Sequence, residues 1–124
     1  VEGLQSDIRR AEARRADLLL RVEVGTGDWQ RQAVRTACFV KGGFPLYAYW
    51  YPAVLQQGWS TKQARLTVWS GKAARLENPV LVDLLTGDIT VPTKVARNGG
   101  TMHLDGMPVR DYPLVVTDAG AVSG

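Results

Sequence analysis

One glutamate and a pair of aromatic residues are the side chains of this sequence best placed to form a site. Glu23 lies near the end of an apolar run at residues 18–24, and Tyr49 and Trp50 end a second, aromatic run at residues 46–50. If both runs are parallel strands, their carboxyl ends meet at one edge of a sheet, where α/β proteins collect their chemistry. The sequence therefore predicts a site in which a carboxylate lies beside aromatic rings.

A strand–helix–strand unit would position these side chains. Asp28 is a favourable N-cap, and residues 29–41 after it have a small-residue face suited to packing on a sheet. Gly42 and Gly43 would end that helix before the second strand. We therefore predict a parallel β-α-β unit with strands at residues 18–24 and 46–50.

The N-terminal stretch is predicted to add a second, weakly apolar helix at residues 6–16. Continuation of this helix into residues 18–24 is an alternative to the first strand. Two parallel strands and two helices cannot bury their own faces, so an open sheet edge would remain. Another chain or segment is expected to cover it.

The composition argues against several classes of function. The chain has 124 residues, with 45% hydrophobic and 22% charged, which is ordinary for a globular protein. Its net charge of +3 comes from arginines interleaved with carboxylates, a pattern that does not favour nucleic-acid binding. The single cysteine, Cys38, allows no disulfide within the chain and is expected to be a small core residue. No apolar run is long enough to cross a membrane, and neither a metal nor a cofactor is indicated.

From residue 53 onward the sequence favours short β-strands separated by turn residues. The predicted strands are residues 65–69, 79–85, 89–95, 101–104 and 113–117. Strands at a spacing of about ten residues are typical of an antiparallel sandwich. We therefore predict an α+β chain with a helix-containing parallel domain at residues 1–52 and a β-sandwich domain at residues 53–124.

Several stretches of the sequence resemble a family of enzymes. LLLRVEVG, then QRQAVR, then FPLYAYWYP resembles the seventh strand, seventh helix and eighth strand of (β/α)8-barrel glycoside hydrolases of the large clan with two catalytic glutamates. NPVLVDLLTGDITVP and LDGMPVRDYPLVVTD are similar to the β-sandwich that follows the barrel in several of those families. The resemblance covers residues 18–118, and the sandwich phrases are its more distinctive part.

The resemblance implies that the chain is the C-terminal portion or a subunit of a retaining glycoside hydrolase, acting on a carbohydrate. Glu23 would be the nucleophile, and Trp50, with Tyr49 and Tyr51 as alternates, would stack on the sugar ring. Trp29 would be a further aromatic residue lining the site. The acid/base glutamate of the clan follows an asparagine on the fourth barrel strand, and this sequence contains no Asn-Glu pair. A missing N-terminal chain or segment would have to supply it.

Other interpretations of the same residues stay open. Glu23 is also consistent with a strand-end glutamate paired with Arg21 or another arginine. Trp50 is consistent with an aromatic core residue, and Trp29 with a cover for the start of its helix. The whole chain is alternatively a non-catalytic β-sandwich module that binds carbohydrate or protein.

Overall fold

Ten strands and one short helix form the part of the chain that the structure, a computed structural model, describes: residues 9–14, 17–24, 34–51, 63–70 and 76–122. The elements are β1 (Arg9–Arg14), β2 (Leu19–Val24), β3 (Arg35–Lys41), β4 (Phe44–Trp50), β5 (Gln63–Trp69), β6 (Pro79–Asp83), β7 (Ile89–Thr90), β8 (Val95–Asn98), β9 (Thr101–Pro108), β10 (Leu114–Asp118) and α1 (Ala119–Val122). No helix of this described part is long and apolar enough to span a membrane.

The strands form two five-stranded sheets, as in a β-sandwich. Sheet A has the order β1-β2-β5-β9-β8, and sheet B has the order β3-β4-β10-β6-β7. The predicted domain boundary between residues 52 and 53 lies outside the described residues. Strands from both sides of it are hydrogen-bonded within each sheet, and residues of both sides share one core.

The predicted parallel β-α-β unit is corrected by the structure. Residues 35–41 of the predicted helix form strand β3, which pairs antiparallel with β4, and a barrel segment is not seen in the described residues. Gly42 and Gly43 have φ values of 61° and 83°, as a two-residue hairpin turn requires. Between runs of alternating burial, a Gly-Gly pair closes a hairpin instead of ending a helix.

The predicted helix at residues 6–16 is also wrong where it can be compared. Residues 9–14 form strand β1, which pairs antiparallel with β2 and places Ala13 opposite Leu20. The predicted strand at residues 18–24 is confirmed as β2, and the strand at residues 46–50 as part of β4. The spacing of apolar residues in this segment predicted a helix, whereas pairing with β2 makes it a strand.

Five strands were predicted after residue 53, and the described residues form six, β5 to β10, with different ends. The run at residues 89–95 divides into β7 in sheet B and β8 in sheet A, with Pro92 between them. The strand predicted at residues 101–104 is longer than expected, because β9 continues through Asp105 and Gly106 to Pro108. The register shift opposite Ala64 and Leu66, with φ of 70° at Gly106, makes this site a β-bulge.

Two buried tyrosines link the sheets through the core. The hydroxyl of Tyr47 donates to the carbonyl oxygen of Trp69 at 3.0 Å, and that of Tyr49 to the carbonyl oxygen of Pro108 at 2.8 Å. Desolvation raises the pKa of both phenols, so they remain neutral donors. Cys38 packs in the same core, as predicted.

Candidate interaction surface

The connection between β6 and β7 is a tightly hydrogen-bonded turn built around Asp83. Its carboxylate accepts from the backbone N–H of Leu85 at 2.9 Å and of Thr86 at 3.1 Å. Its backbone oxygen accepts from Gly87 N–H at 2.7 Å, and its own N–H donates to the Asp88 carbonyl at 2.9 Å. Gly87 has a φ of 81°, which favours glycine. These bonds hold the turn in one conformation.

A tyrosine from the chain segment before β10 braces this turn. The hydroxyl of Tyr112 donates to Asp83 Oδ2 at 2.8 Å. Desolvation acts to raise the pKa of Asp83, but the hydrogen bonds from Tyr112 and from the backbone of Thr86 and Leu85 outweigh it and lower the pKa. The bond to the Asp83 carboxylate in turn raises the pKa of Tyr112. Both shifts favour an ionised carboxylate bonded to a neutral phenol.

A second carboxylate secures the opposite end of the β6–β10 pair. Asp118 is buried, and its Oδ1 accepts from the N–H groups of Glu77 at 2.8 Å and Asn78 at 2.9 Å. Its Oδ2 accepts from Gly120 N–H at 2.7 Å, in the first turn of α1. The two sandwich phrases of the sequence are therefore joined to each other at both ends.

The braced turn displays large apolar side chains. Of the seven exposed large hydrophobic residues in the described part of the chain, four lie within residues 84–91. These four are Leu84, Leu85, Ile89 and Val91, and we call residues 84–91 the apolar hairpin. Leu85 is 72% exposed and Val91 is 67% exposed. Exposed apolar side chains that lie close together are candidates for a surface that binds another molecule.

The apolar hairpin continues into the outer face of sheet B. One cross-strand row of this face runs through all five strands, and its members are Ala37, Ala48, Val115, Val82 and Ile89. Ala48 and Val115 are buried at its centre, whereas Ile89 at one edge and Phe39 at the other are more than half exposed. This row contains no charged residue, although Arg35 and Lys41 of β3 lie on the same face by the alternation of that strand. The hairpin therefore borders an apolar row and not a wholly apolar face.

The outer face of sheet A has the opposite character. Arg21 donates to Glu12 at 2.6 Å, and Arg65 donates to Asp105 at 2.9 Å across neighbouring strands. These pairs are largely exposed, so each contributes about 0–1 kcal/mol at most. Their arrangement is that of a solvated sheet surface.

The structure places Glu23 on this charged face. It lies in β2, opposite Arg10 of β1 and Arg65 of β5 in the sheet register. The alternative interpretation of Glu23, a strand glutamate among arginines, agrees with this position. The predicted arrangement, in which Glu23 ends a parallel strand beside an aromatic strand end, is not found.

The predicted aromatic residues lie elsewhere. Trp50 alternates with the buried residues Tyr49 and Tyr51 and therefore faces outward from sheet B, on the side of the sandwich opposite to Glu23. Tyr49 is completely buried, with its hydroxyl bonded to Pro108, so it is a core residue here and not an accessible sugar contact. Trp29 lies outside the described residues. The structure therefore does not bring Glu23 and Trp50 together.

The residues that sequence reasoning missed are those of the apolar hairpin. Residues 79–85 were predicted as one strand, which would alternate its side chains between two faces. Instead β6 ends at Asp83, and Leu84 and Leu85 are left in the turn. Asp83 was the residue that could have revealed the turn. An aspartate side chain can accept hydrogen bonds from the backbone N–H groups two and three residues later, and this favours a turn. Within the described residues, no group of three or more His, Cys, Asp or Glu could hold a metal ion.

Comparison with known proteins does not assign the chain to a family. No protein-family model, no curated protein and no solved structure matches the chain.

Proposed function

We propose that this chain is a non-catalytic β-sandwich module of a retaining glycoside hydrolase, which packs its apolar hairpin against the catalytic (β/α)8 barrel. The observation that carries the proposal is the concentration of exposed apolar side chains on the apolar hairpin, whose turn is held by the hydrogen bonds of Asp83. Among the described residues, the charged outer face of sheet A has no comparable group.

The rigidity of the hairpin suits it to binding. The Asp83 carboxylate and the Tyr112 hydroxyl hold the turn in place before any partner arrives. A preorganised element loses little conformational entropy on association, so more of the energy of burying Leu84 and Leu85 contributes to affinity. Fully burying one leucine side chain contributes about 1.5–3 kcal/mol.

The choice of partner rests on the sequence resemblance. The phrase at residues 78–92, similar to the sandwich of barrel glycoside hydrolases, contains the whole apolar hairpin. The second phrase, residues 104–118, contains Tyr112 and Asp118, which brace the hairpin and its strand. The residues that carry the resemblance are thus the same ones that form and support the proposed contact.

A nucleophilic role of Glu23 is not part of this proposal. Its position among arginines, on the side of the sandwich away from Trp50, offers no support for that role. In the proposed assembly, both catalytic carboxylates belong to the barrel.

Co-expression tests the proposal. The chain is produced together with a separately expressed (β/α)8-barrel domain of a retaining glycoside hydrolase of the resembled clan, and the mass of the purified species is measured by light scattering. We expect a one-to-one complex that hydrolyses an aryl glycoside. Leu85→Asp should weaken the complex at least about tenfold, because it removes an apolar contact and introduces a charge.

Val122→Asp is the matched control, because Val122 of α1 is an exposed large apolar residue outside both the hairpin and the cross-strand row that the hairpin borders. It should leave the affinity for the barrel unchanged. Equal affinities for the barrel in the parent chain and the Leu85→Asp variant would refute the proposal, as would a barrel that forms no complex with the parent chain.

A further inference from the structure

A cavity lies beside the β8–β9 turn, between sheet A and the segment that leads into β6 of sheet B. Its volume is about 150 Å³. The described residues that line it are Val68, Ser70, Leu76, Arg97, Gly99, Gly100, Thr101 and Met102. None of these residues belongs to the apolar hairpin, so the cavity is separate from the surface to which the docking function is assigned.

The floor of the cavity is apolar. It is formed by Val68, Leu76 and Met102, which are all buried members of the core. An apolar cavity of about this volume binds a benzene ring in another protein. The cavity is therefore large enough for one ring or a short alkyl chain, which would lie against these three side chains.

One charged side chain, that of Arg97, belongs to this lining. Arg97 is opposite the buried Met102 in the register of β8 and β9, so its side chain leaves the edge of sheet A on the side that faces sheet B. Its guanidinium group donates to the carbonyl oxygens of Leu76 and Glu77, which fixes it beside the cavity. A guanidinium group carries more N–H donors than these two bonds use, so donors remain for a ligand.

The charge of Arg97 decides which ligand chemistry fits. No carboxylate belongs to the described lining, and the other polar members, Ser70, Gly99, Gly100 and Thr101, are uncharged. A carboxylate matches the geometry of a guanidinium group, and hydrogen bonds between charged groups are about twice as strong as those between neutral groups. A cation beside an apolar floor therefore suits a molecule that has a carboxylate at one end and an apolar group at the other.

We propose that this cavity is a binding site for a small organic carboxylate with one ring or a short alkyl chain. The apolar group lies against Val68, Leu76 and Met102, and the carboxylate accepts hydrogen bonds from Arg97. This inference goes beyond the proposed docking function and does not depend on it, because the cavity and the apolar hairpin share no residue.

The purified chain alone tests the site. Benzoate and hexanoate are titrated at neutral pH, each beside its uncharged amide, and binding is followed by isothermal calorimetry. We expect at least one of the two carboxylates to bind with a dissociation constant in the millimolar range or tighter. Its amide keeps the apolar group but loses the charge, so the amide should bind at least about tenfold more weakly. Inorganic phosphate should also bind at least about tenfold more weakly, because it leaves the apolar floor unfilled.

Variants of Arg97 test its part in the site. Arg97→Gln should weaken carboxylate binding at least about tenfold, whereas Arg97→Lys keeps a positive charge and should retain part of the affinity. Arg65→Gln is the matched control, because Arg65 is exposed on the outer face of the same sheet, and it should leave the affinity unchanged. Each variant is checked by its cooperative thermal transition.

Three results would overturn the inference. The first is failure of both carboxylates to bind, and the second is equal binding of each carboxylate and its amide. The third is equal carboxylate binding by the parent chain and a folded Arg97→Gln variant. The comparison with the amides uses the parent chain, so it stands even if a variant does not fold.

Discussion

Replacing Asp118 should destabilise the sandwich strongly. Its carboxylate is buried and accepts three backbone N–H groups, those of Glu77, Asn78 and Gly120. Hydrogen bonds to a charged group contribute roughly 1.5–3 kcal/mol each. Three such bonds together contribute at least about 4.5 kcal/mol. Glu77 and Asn78 are exposed, so water can replace part of the loss. Asp118→Ala should therefore lower the free energy of unfolding by about 4 kcal/mol, slightly below that sum.

Asp118→Asn separates the two carboxylate oxygens. The amide oxygen can keep the bonds to Glu77 and Asn78, but the amide nitrogen then faces the N–H of Gly120, which is also a donor. We expect a loss of about 2 kcal/mol, half that of the alanine variant. Against a typical total stability of about 5–15 kcal/mol, both losses are readily measured.

Urea denaturation followed by tryptophan fluorescence is the assay. Both variants should shift the midpoint without changing the dependence of unfolding free energy on urea. Asp88→Ala is the control, because Asp88 is an exposed aspartate of the β6–β7 turn and its substitution should cost within about 0.5 kcal/mol. If Asp118→Ala is as stable as Asp88→Ala, the reasoning about the clamp is refuted.

Two other predictions concern the tyrosines. Tyr49→Phe removes the buried hydroxyl bonded to Pro108 and should lower the free energy of unfolding by about 1 kcal/mol, seen as a melting temperature about 4 °C lower; an unchanged melting temperature would contradict this. Folding lowers the pKa of Asp83 below its ordinary value of 3.8. The contribution of Asp83 to the free energy of unfolding is therefore complete above pH 3.8 and is lost as the pH falls through the lower pKa of the folded state. Tyr112→Phe should therefore destabilise the chain at about pH 7, and the difference from the parent should shrink in acid. Urea titrations across that range measure it, and a difference independent of pH would refute the linkage.

The pattern of apolar residues was sufficient to predict those strands whose sequence favours a strand whatever they pair with. Residues 18–24 and 46–50 are strands as predicted, and the run at residues 113–117 corresponds to β10. All five residues of β10 are buried. Cys38 was expected in the core because a small thiol with no partner cysteine packs as a hydrophobe.

Local pattern failed where the partner of a segment decides its conformation. Residues 35–41 have apolar and small residues at spacings compatible with either a helix or a strand. The Gly42–Gly43 turn and pairing with β4 select the strand. Asp105 and Gly106 are equally compatible with a turn, and only the facing strand β5 makes them a bulge within β9.

The candidate sites show the same division. That Glu23 and Trp50 are near strand ends was visible in the sequence, but their separation on opposite faces of the sandwich depends on which sheet each strand joins. The exposure of Leu84 and Leu85 likewise depends on the place where β6 ends, and that place is decided by the bonds of Asp83 to the turn and to Tyr112.

The sequence by itself determined the β-rich second half and the apolar runs that form β2, β4 and β10. The tertiary structure decided the pairing of strands, the antiparallel order of the first half, and the side chains left outside. The physical reason is range: alternation and turn preference act between residues a few positions apart, whereas strand pairing and burial depend on contacts between distant parts of the chain.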